Sequence, residues 1–221
     1  MISRGIAHFF SILFHPLLII IYVLLLFIVI NPYLFPYRNG REFGTIFLIV
    51  FFTSVVIPGV AILLLYGTGL IQSIELKERT DRIGPLIITS VAYLWLFLNI
   101  RTHSAIPGLF SSFVLGAIIA IFIAFFINNF SKISLHAVGL GGLFLALLNL
   151  ILTYGRTITT IQLTQDLSFT IHNILIIGIV SMIIGAVLTS RLYLKAHNIQ
   201  DVYGGFLVGM ISQIIALRFF F

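Results

Sequence analysis

Cysteine is absent from the 221 residues of the chain, and charged residues make up only 8% of it. Without cysteine there are no disulfides, no thiolate metal ligands and no cysteine nucleophile. A soluble domain carries about 25% charged residues, so this chain has too few to cover a surface that faces water on all sides. The scarcity of charge excludes a soluble globular enzyme, a disordered chain and a coiled coil.

Acidic residues are the rarer of the two charged classes, since 6 Asp and Glu stand against 12 Lys and Arg. The basic residues are scattered and form no run, so a nucleic-acid partner is not indicated. Hydrophobic residues make up 60% of the chain, and the mean hydropathy is +1.20. They fall into blocks long enough to cross a bilayer, which takes about 20 residues per helix. The composition predicts an integral membrane protein.

Seven apolar blocks predict seven transmembrane helices in a single membrane-embedded domain, residues 1–221. Because a bilayer forces the backbone to make its hydrogen bonds internally, we expect an all-α, polytopic helical bundle. His15-Pro16 predicts a helix start, and the Thr-rich stretch Tyr154–Ser168 predicts a loop. Asn31-Pro32 follows the first block in place of a cleavage site, so we expect that span to be retained. The predicted spans are Phe14–Phe35, Phe43–Tyr66, Pro85–Ile100, Ile106–Phe130, His136–Thr153, Phe169–Thr189 and Val202–Phe221.

The few charges are concentrated, since half of the 18 lie in Glu75–Arg82 and Ser190–Asp201. With seven spans, the links after the second, fourth and sixth spans lie on one side of the membrane. Any one of these polar clusters is also typical of a solvated loop. Three clusters on one side, each with residue types suited to phosphate chemistry, predict a phosphate site. Its candidate residues are Lys77, Arg82, Ser134, His136, Arg191, His197 and Asp201.

Ser190, Arg191, His197 and Asp201 form the pattern S-R-x5-H-x3-D at the entrance to the last span. If this segment is helical, His197 and Asp201 stand at i and i+4 and share a face. The carboxylate can then hold one imidazole nitrogen protonated and leave the other free to attack phosphorus. Arg191 offers a fork of donors for phosphate oxygens. The pattern resembles the third signature motif of the type 2 phosphatidic acid phosphatase superfamily, which includes lipid phosphate phosphatases and vanadium haloperoxidases.

The resemblance implies roles for individual residues. It makes His197 the nucleophile, Asp201 the group that orients it and Arg191 a phosphate ligand. Ile133-Ser134-Leu135-His136 stands where the family's second motif reads P-S-G-H, so Ser134 is expected to bind a phosphate oxygen. His136 is expected to protonate the leaving oxygen, although a histidine at this position is also typical of a helix cap at the membrane interface.

The family's first motif, K-x6-R-P, is only partly kept. Lys77 and Pro85 have the required separation, but Gly84 occupies the place of the arginine. We expect Lys77 and Arg82 to bind phosphate, with Arg79 as the substitute. The acidic neighbours Glu75, Glu78 and Asp81 would repel phosphate, so they are interpreted as partners of these cations.

Taken together, the resemblance implies a six-helix family core and a phosphatase that hydrolyses a lipid phosphate or diphosphate through a phosphohistidine. It implies no metal and no other cofactor, and its partners are the lipid phosphate substrate and membrane lipids. The family also favours a multi-pass protein of a bacterial inner membrane. Two alternatives stay open: a lipid phosphotransferase of the same fold, and a non-enzymatic lipid-phosphate binder or transporter.

Overall fold

The computed structural model describes residues 4–36, 40–154, 157–162 and 167–221. Within these ranges seven helical segments are long and apolar enough to cross a membrane, which confirms the predicted number of spans. The chain is therefore a multi-pass helical membrane protein. The segments are Arg4–Ile30, Gly40–Gly67, Thr80–Ile100, Gly108–Asn128, Leu135–Tyr154, Asn173–Tyr193 and Ile199–Leu217.

The first span is broken at its middle into α1 (Arg4–Leu13) and α2 (Ile19–Ile30), with the 3₁₀ turn Pro16–Leu18 between them. The predicted helix start at His15-Pro16 is confirmed, because His15 caps the turn and its Nδ1 accepts the Leu17 N–H at 3.3 Å. The predicted bounds Phe14–Phe35 are wrong at both ends. The polar residues of α1 lower its mean hydropathy, so α1 was not included in the predicted span. Asn31-Pro32 ends α2 at Ile30, before the predicted end at Phe35.

The second span is interrupted by a wider turn. α3 (Gly40–Phe51) leads through the π-helical turn Phe52–Val56 into α4 (Ile57–Gly67). Pro58 near the start of α4 has no N–H to donate to the preceding turn and would crowd its carbonyls in a regular helix. Thr53 and Ser54 within the wider turn donate their hydroxyls to the carbonyls of Ile49 and Val50, each at 2.7 Å.

The other five spans are single helices, and α7 lies at their centre. They are α5 (Ile83–Ile100), α6 (Gly108–Asn128), α7 (Leu135–Tyr154), α8 (Asn173–Tyr193) and α9 (Ile199–Leu217). α7 packs against α2, α6, α8 and α9, and α1 packs against α8. The core includes the fully buried side chains of Phe27, Phe110, Leu24, Leu96, Leu140 and Leu147.

Glycines allow α7 and α9 to touch at backbone distance. A Cβ on Gly205 would stand 2.7 Å from the Ser134 carbonyl oxygen, and one on Gly209 would collide with the Val138 carbonyl. Gly141 of α7 likewise faces the Phe206 carbonyl. Small residues permit this kind of approach between membrane helices. As a result the start of α7 and the start of α9 lie side by side.

A β-hairpin occupies part of the stretch that was predicted as a loop. β1 (Ile158–Gln162) pairs with β2 (Ser168–His172) in antiparallel fashion, with Ile158 opposite His172. The β-branched residues of both strands favour extended backbone. The Phe169 start of the sixth span is corrected accordingly, and the predicted helical bundle is confirmed with this hairpin added to it. Residues 155–156 and 163–166 of the predicted loop lie outside the described residues.

Candidate active site

A cavity of about 1190 Å³ enters the bundle from the membrane face on which the predicted polar clusters lie. It continues between α5, α6 and α7 as far as Tyr93, Phe113 and Gln213. Gln213 lies twelve residues beyond Asp201 on α9, which is about 18 Å along a helix axis. The cavity therefore joins a polar mouth to an apolar interior within the membrane. Its polar side chains near the mouth are those of Arg4, His8, Ser11, His15, Glu75, Lys77, Glu78, Arg82, Lys132, His136, Arg191, Lys195 and His197.

Hydrogen bonds tie the three polar clusters together. Arg82 Nη1 donates to the Ile133 carbonyl at 2.7 Å, which joins the start of α5 to the α6–α7 link. The Ser134 N–H donates to the Asp201 carbonyl at 3.2 Å, which joins that link to α9. The structure thus brings together the segments that the parity of seven spans places on one side.

His197 lies in the link between α8 and α9, and its side chain is almost fully buried although it lines the cavity. Its Nδ1 is 3.0 Å from the Lys132 carbonyl oxygen. Because a carbonyl only accepts, Nδ1 carries the proton of the neutral ring and Nε2 keeps its lone pair. Burial lowers the pKa of His197 to about 4, helped by Arg82 and Arg191, while the Lys132 carbonyl and Asp201 oppose the shift. The ring is therefore neutral near pH 7, which is the form a nucleophile needs.

Asp201 does not hold His197 in the predicted way. Its Oδ2 is 3.7 Å from His197 Nδ1, and the shorter bond of that nitrogen goes to Lys132. His197 is not helical, because α9 begins at Ile199 with Asn198 as its cap. Asp201 forms a reciprocal capping box with Asn198 and accepts the Ser131 hydroxyl at 3.0 Å. Its carboxylate therefore fixes the link that carries His197 and acts on the ring only at longer range.

Arg82, and not Arg79, is the arginine of the first cluster that reaches the cavity. The Arg82 side chain is buried and donates from Nε to the Leu76 carbonyl at 3.2 Å and from Nη1 to Ile133. Arg79 instead donates from Nη1 to the carbonyls of Asn129 and Phe130, and it does not belong to the cavity lining. The substitution of Arg82 for the arginine expected at Gly84 is thus sterically possible in this fold.

Arg191 lies near the end of α8 and faces α1 across the cavity. Its Nη1 donates to the Ser11 hydroxyl at 3.2 Å. Its Nε is buried and has no hydrogen-bond partner among the described residues. A buried guanidinium N–H without a partner is costly, and an anion in the cavity would supply one.

His136 lies in the first turn of α7 and also contacts α1. Its Nε2 is 2.9 Å from the Ser11 carbonyl oxygen, so Nε2 carries the proton of the neutral ring and Nδ1 keeps the lone pair. The His136 and His15 rings meet edge to face, with centroids 5.8 Å apart. Ser11 therefore bonds to His136 through its backbone and to Arg191 through its side chain.

Two of the predicted phosphate ligands are less well placed. Ser134 is fully buried outside the cavity lining, and its hydroxyl accepts the Ala137 N–H at 3.5 Å, so it caps α7. We correct its expected phosphate contact to this capping role. Lys77 lines the mouth but is exposed, and its ammonium pairs with Glu75 at 3.2 Å. This ion pair agrees with the interpretation of Glu75 as a partner of the cations.

The sequence reasoning missed several residues of the site. Lys132 supplies the carbonyl that orients His197, and burial together with Arg82 lowers the pKa of the Lys132 ammonium. Ser11 and His15 enter from the first span. The sequence did contain a pattern that could have predicted Ser11 and His15. Arg4, His8, Ser11 and His15 recur at i, i+4, i+7 and i+11 in an otherwise apolar segment, which places them on one face of a helix. No signal pointed to Lys132, because its contact is made by the backbone.

The cavity lining is strongly cationic near its mouth. Six lysines and arginines line it, against the two acidic residues Glu75 and Glu78. Charges at the edge of a bilayer are costly unless they are paired or hold an anion. The excess of positive charge therefore indicates an anionic ligand.

Scans of protein-family profiles, of characterised proteins and of solved structures each found no match for the chain. The functional assignment consequently depends on the geometry of the cavity and on the motif resemblance.

Proposed function

We propose that the chain is an integral-membrane phosphatase of the type 2 phosphatidic acid phosphatase kind, acting on a lipid phosphate or diphosphate without a metal. The observation that carries the proposal is the state of His197. One ring nitrogen is fixed as a donor to a backbone carbonyl, and the other keeps a lone pair in a cavity that Arg82 and Arg191 also line. A nucleophile beside two phosphate-binding cations is the minimum that phosphoryl transfer requires.

In the first chemical step the Nε2 lone pair of His197 attacks phosphorus, and the bond to the leaving oxygen breaks. Arg82 and Arg191 neutralise the charge on the phosphoryl oxygens, which is the main catalytic term expected for such a transfer. When the substrate is a monoester, His136 first takes up a second proton at Nδ1 and then gives that proton to the leaving alkoxide.

In the second step water attacks the phosphohistidine and releases inorganic phosphate. The N–P bond breaks and returns its electron pair to Nε2 of His197. The Nδ1 lone pair of His136 accepts the proton of the attacking water. The same side chain thus serves as acid and then as base.

The lipid tail lies in the apolar part of the cavity. Ala117, Ala120 and Ala124 of α6 recur at helical spacing along one wall, and Gly139 and Gly142 of α7 form part of another. They form the apolar wall of a groove that continues from the polar mouth. This continuity between a cationic mouth and an apolar groove matches an anionic amphiphile.

The proposal is tested by phosphate release from phosphatidic acid and from polyprenyl phosphates and diphosphates in detergent, with EDTA present throughout. We expect release by the wild type and a loss of at least a thousandfold in His197→Ala. Acid quenching of the wild type during turnover should trap an acid-labile phosphoryl group on His197, which His197→Ala cannot form.

His172→Ala serves as the matched control, because His172 is an exposed histidine of the β-hairpin on the other membrane side. It should keep wild-type activity. Turnover that survives His197→Ala would refute the nucleophile. Saturable lipid binding without phosphate release would favour the binder or transporter, and transfer to an alcohol acceptor at the expense of water would favour the phosphotransferase.

A further inference from the structure

The first span carries a polar stripe that the proposed chemistry leaves unexplained. We define the α1 stripe as Arg4, His8, Ser11 and His15, all of which line the cavity. The remainder of α1 is largely apolar, and side chains such as Phe9 and Leu13 are exposed outside the cavity lining, as expected of lipid contacts. Polar residues in a membrane helix are costly and face a polar interior when they have a function.

The tautomer of His15 makes it a donor towards the cavity. Its Nδ1 accepts the Leu17 N–H, so the proton of the neutral ring lies on Nε2. The His15 ring lies against the ring of His136, and both rings line the cavity. A hydrogen-bond donor is thus held beside the group that faces the leaving oxygen.

Arg191 connects the α1 stripe to the phosphate that is attacked. One guanidinium nitrogen is bonded to Ser11, and the buried Nε has no partner in the described part of the chain. A planar guanidinium can bind two phosphate oxygens in parallel or bridge two neighbouring phosphates. Its position between His197 and the α1 stripe suits the second arrangement.

The protonation of His136 also bears on the leaving group. Its one N–H in the neutral ring points to the Ser11 carbonyl, and only a lone pair is left for the cavity. An alkoxide leaving group needs a proton from such a residue, whereas a phosphate departs as an anion without one. The neutral ring is therefore ready for the water step, and for a first step in which the leaving group is itself a phosphate.

We propose that the α1 stripe forms a second anion subsite, which receives the leaving phosphate of a lipid diphosphate. This inference rests on the proposed phosphatase function. His197 Nε2 bonds to the terminal phosphorus, and the bond from that phosphorus to the bridging oxygen breaks with its electron pair left on the lipid monophosphate. His15 Nε2–H and Arg191 hold this leaving anion, and the exposed Arg4 on the same cavity lining attracts it at longer range. Water then hydrolyses the phosphohistidine, and its proton goes to His136 Nδ1.

The test compares farnesyl diphosphate with farnesyl monophosphate, which share a tail and differ by one phosphate. We expect the wild type to have a kcat/KM at least tenfold higher for the diphosphate. His15→Asn retains an oxygen that can accept the Leu17 N–H, since asparagine is a good cap, but removes the Nε2–H donor. The ratio of the two kcat/KM values should then fall about tenfold, as expected for one lost hydrogen bond to a charged group.

Arg4→Gln provides a second variant whose side chain is exposed and whose loss does not threaten folding. It should lower the same ratio, and the effect should shrink at high salt because an exposed charge is screened. A wild type without preference for the diphosphate, or variants that reduce both substrates equally, would overturn the subsite while leaving the phosphatase intact. A wild type that releases phosphate from neither lipid would overturn the proposed function itself.

Discussion

His197 titrates in a setting that two arginines and burial determine together. Its pKa of about 4 is lowered first by burial and then by Arg82 and Arg191, against the opposing influence of the Lys132 carbonyl and Asp201. The sign follows directly, because a nearby cation disfavours the protonated ring. Removal of an arginine should therefore raise the pKa towards the ordinary value of 6.5.

We expect Arg82→Gln to raise the pKa of His197 and Arg82→Lys to leave it low, since lysine retains the charge. The measurement is a titration of ¹⁵N-labelled histidine by NMR in detergent micelles, with the His197 signal assigned by its absence in His197→Gln. The same spectra report the tautomer, which should be Nδ1–H. An unchanged pKa in Arg82→Gln would show that burial alone controls this ring.

Lys195 terminates α8 in a backbone conformation that favours glycine. Its φ is +53°, in the left-handed region, and its N–H donates to the Leu192 carbonyl at 2.9 Å. A residue with a Cβ is strained there by on the order of 1 kcal/mol. Lys195→Gly and Lys195→Ala both remove the charge and the long exposed side chain. They differ in that glycine adopts a positive φ without strain, whereas alanine does not.

Lys195→Gly should be about 1 kcal/mol more stable than Lys195→Ala, measured as thermal or denaturant unfolding in one detergent. Comparison of the two variants with each other, and not with the wild type, cancels the lost charge. Equal stabilities would mean that the end of α8 relaxes out of the left-handed conformation.

Residue types were more predictable than residue contacts. His197, Arg191 and Arg82 were expected from their types and spacing, and all three line one cavity. The Lys132 carbonyl that orients His197 was not predictable, since any residue provides a carbonyl. Asp201 was expected to hold the ring, but its carboxylate bonds to Asn198 and Ser131. Spacing of i and i+4 implies contact only if the helix includes both residues, and α9 starts after His197.

At the scale of elements, the α7–α9 contact holds the second and third clusters together. Gly209 faces the Val138 carbonyl at a distance that leaves no room for a side chain, whereas a Cβ on Gly204 would meet nothing within 4 Å. The two glycines lie on the same helix, so they form a matched pair. Overpacking at such a contact costs about 1–3 kcal/mol.

Gly209→Ala should therefore destabilise the protein by about 1–3 kcal/mol and reduce activity by displacing the start of α9. Gly204→Ala should be neutral or slightly stabilising, because alanine is the better helix former. Thermal unfolding in detergent and phosphate release measure the two effects. Equal stabilities of the two variants would contradict the close approach of α7 and α9.

Hydropathy predicted the helices whose surroundings are apolar on all sides. It did not predict the elements that face lipid or protein on one side and a polar cavity or water on the other. The spans α6, α7 and α9 were expected because lipid and protein core both demand apolar residues. The start of the first span was missed because α1 turns polar residues towards the cavity. The hairpin β1–β2 was missed because its short strands mix threonine and other polar residues with apolar ones, a composition that also fits a polar loop.

The groove between α5, α6 and α7 makes a prediction about tail length. Ala117 lies on the groove wall, so Ala117→Phe should narrow the path of a long tail. Each methylene that loses its contact costs about 0.8 kcal/mol. The kcat/KM for geranylgeranyl diphosphate should fall at least tenfold more than that for isopentenyl diphosphate. Leu94→Phe, on an exposed face of α5, is the control and should change neither. Equal losses for both substrates would place the tail elsewhere.

For the whole molecule, the number of spans is what assembles the site. The links after α4, α6 and α8 follow two, four and six spans, so all three lie on the same side as the N-terminal end of α1. The opposite side carries the hairpin and the end of α9. One span more or fewer before any of these links would separate residues that hydrogen bonds join, such as Arg82 and Ile133. Topology is therefore a direct test of the site.

The absence of cysteine makes that test simple, because each introduced cysteine is the only thiol in the chain. Gln72→Cys lies in the exposed link after α4, and Thr170→Cys lies on the exposed strand β2. We expect a membrane-impermeant maleimide to label only one of the two in sealed vesicles of defined orientation, and both after detergent is added. Labelling of both from the same side would mean that successive links do not lie on alternate sides of the membrane. The links that carry His197, Arg82 and Arg191 could then not be placed together around one cavity.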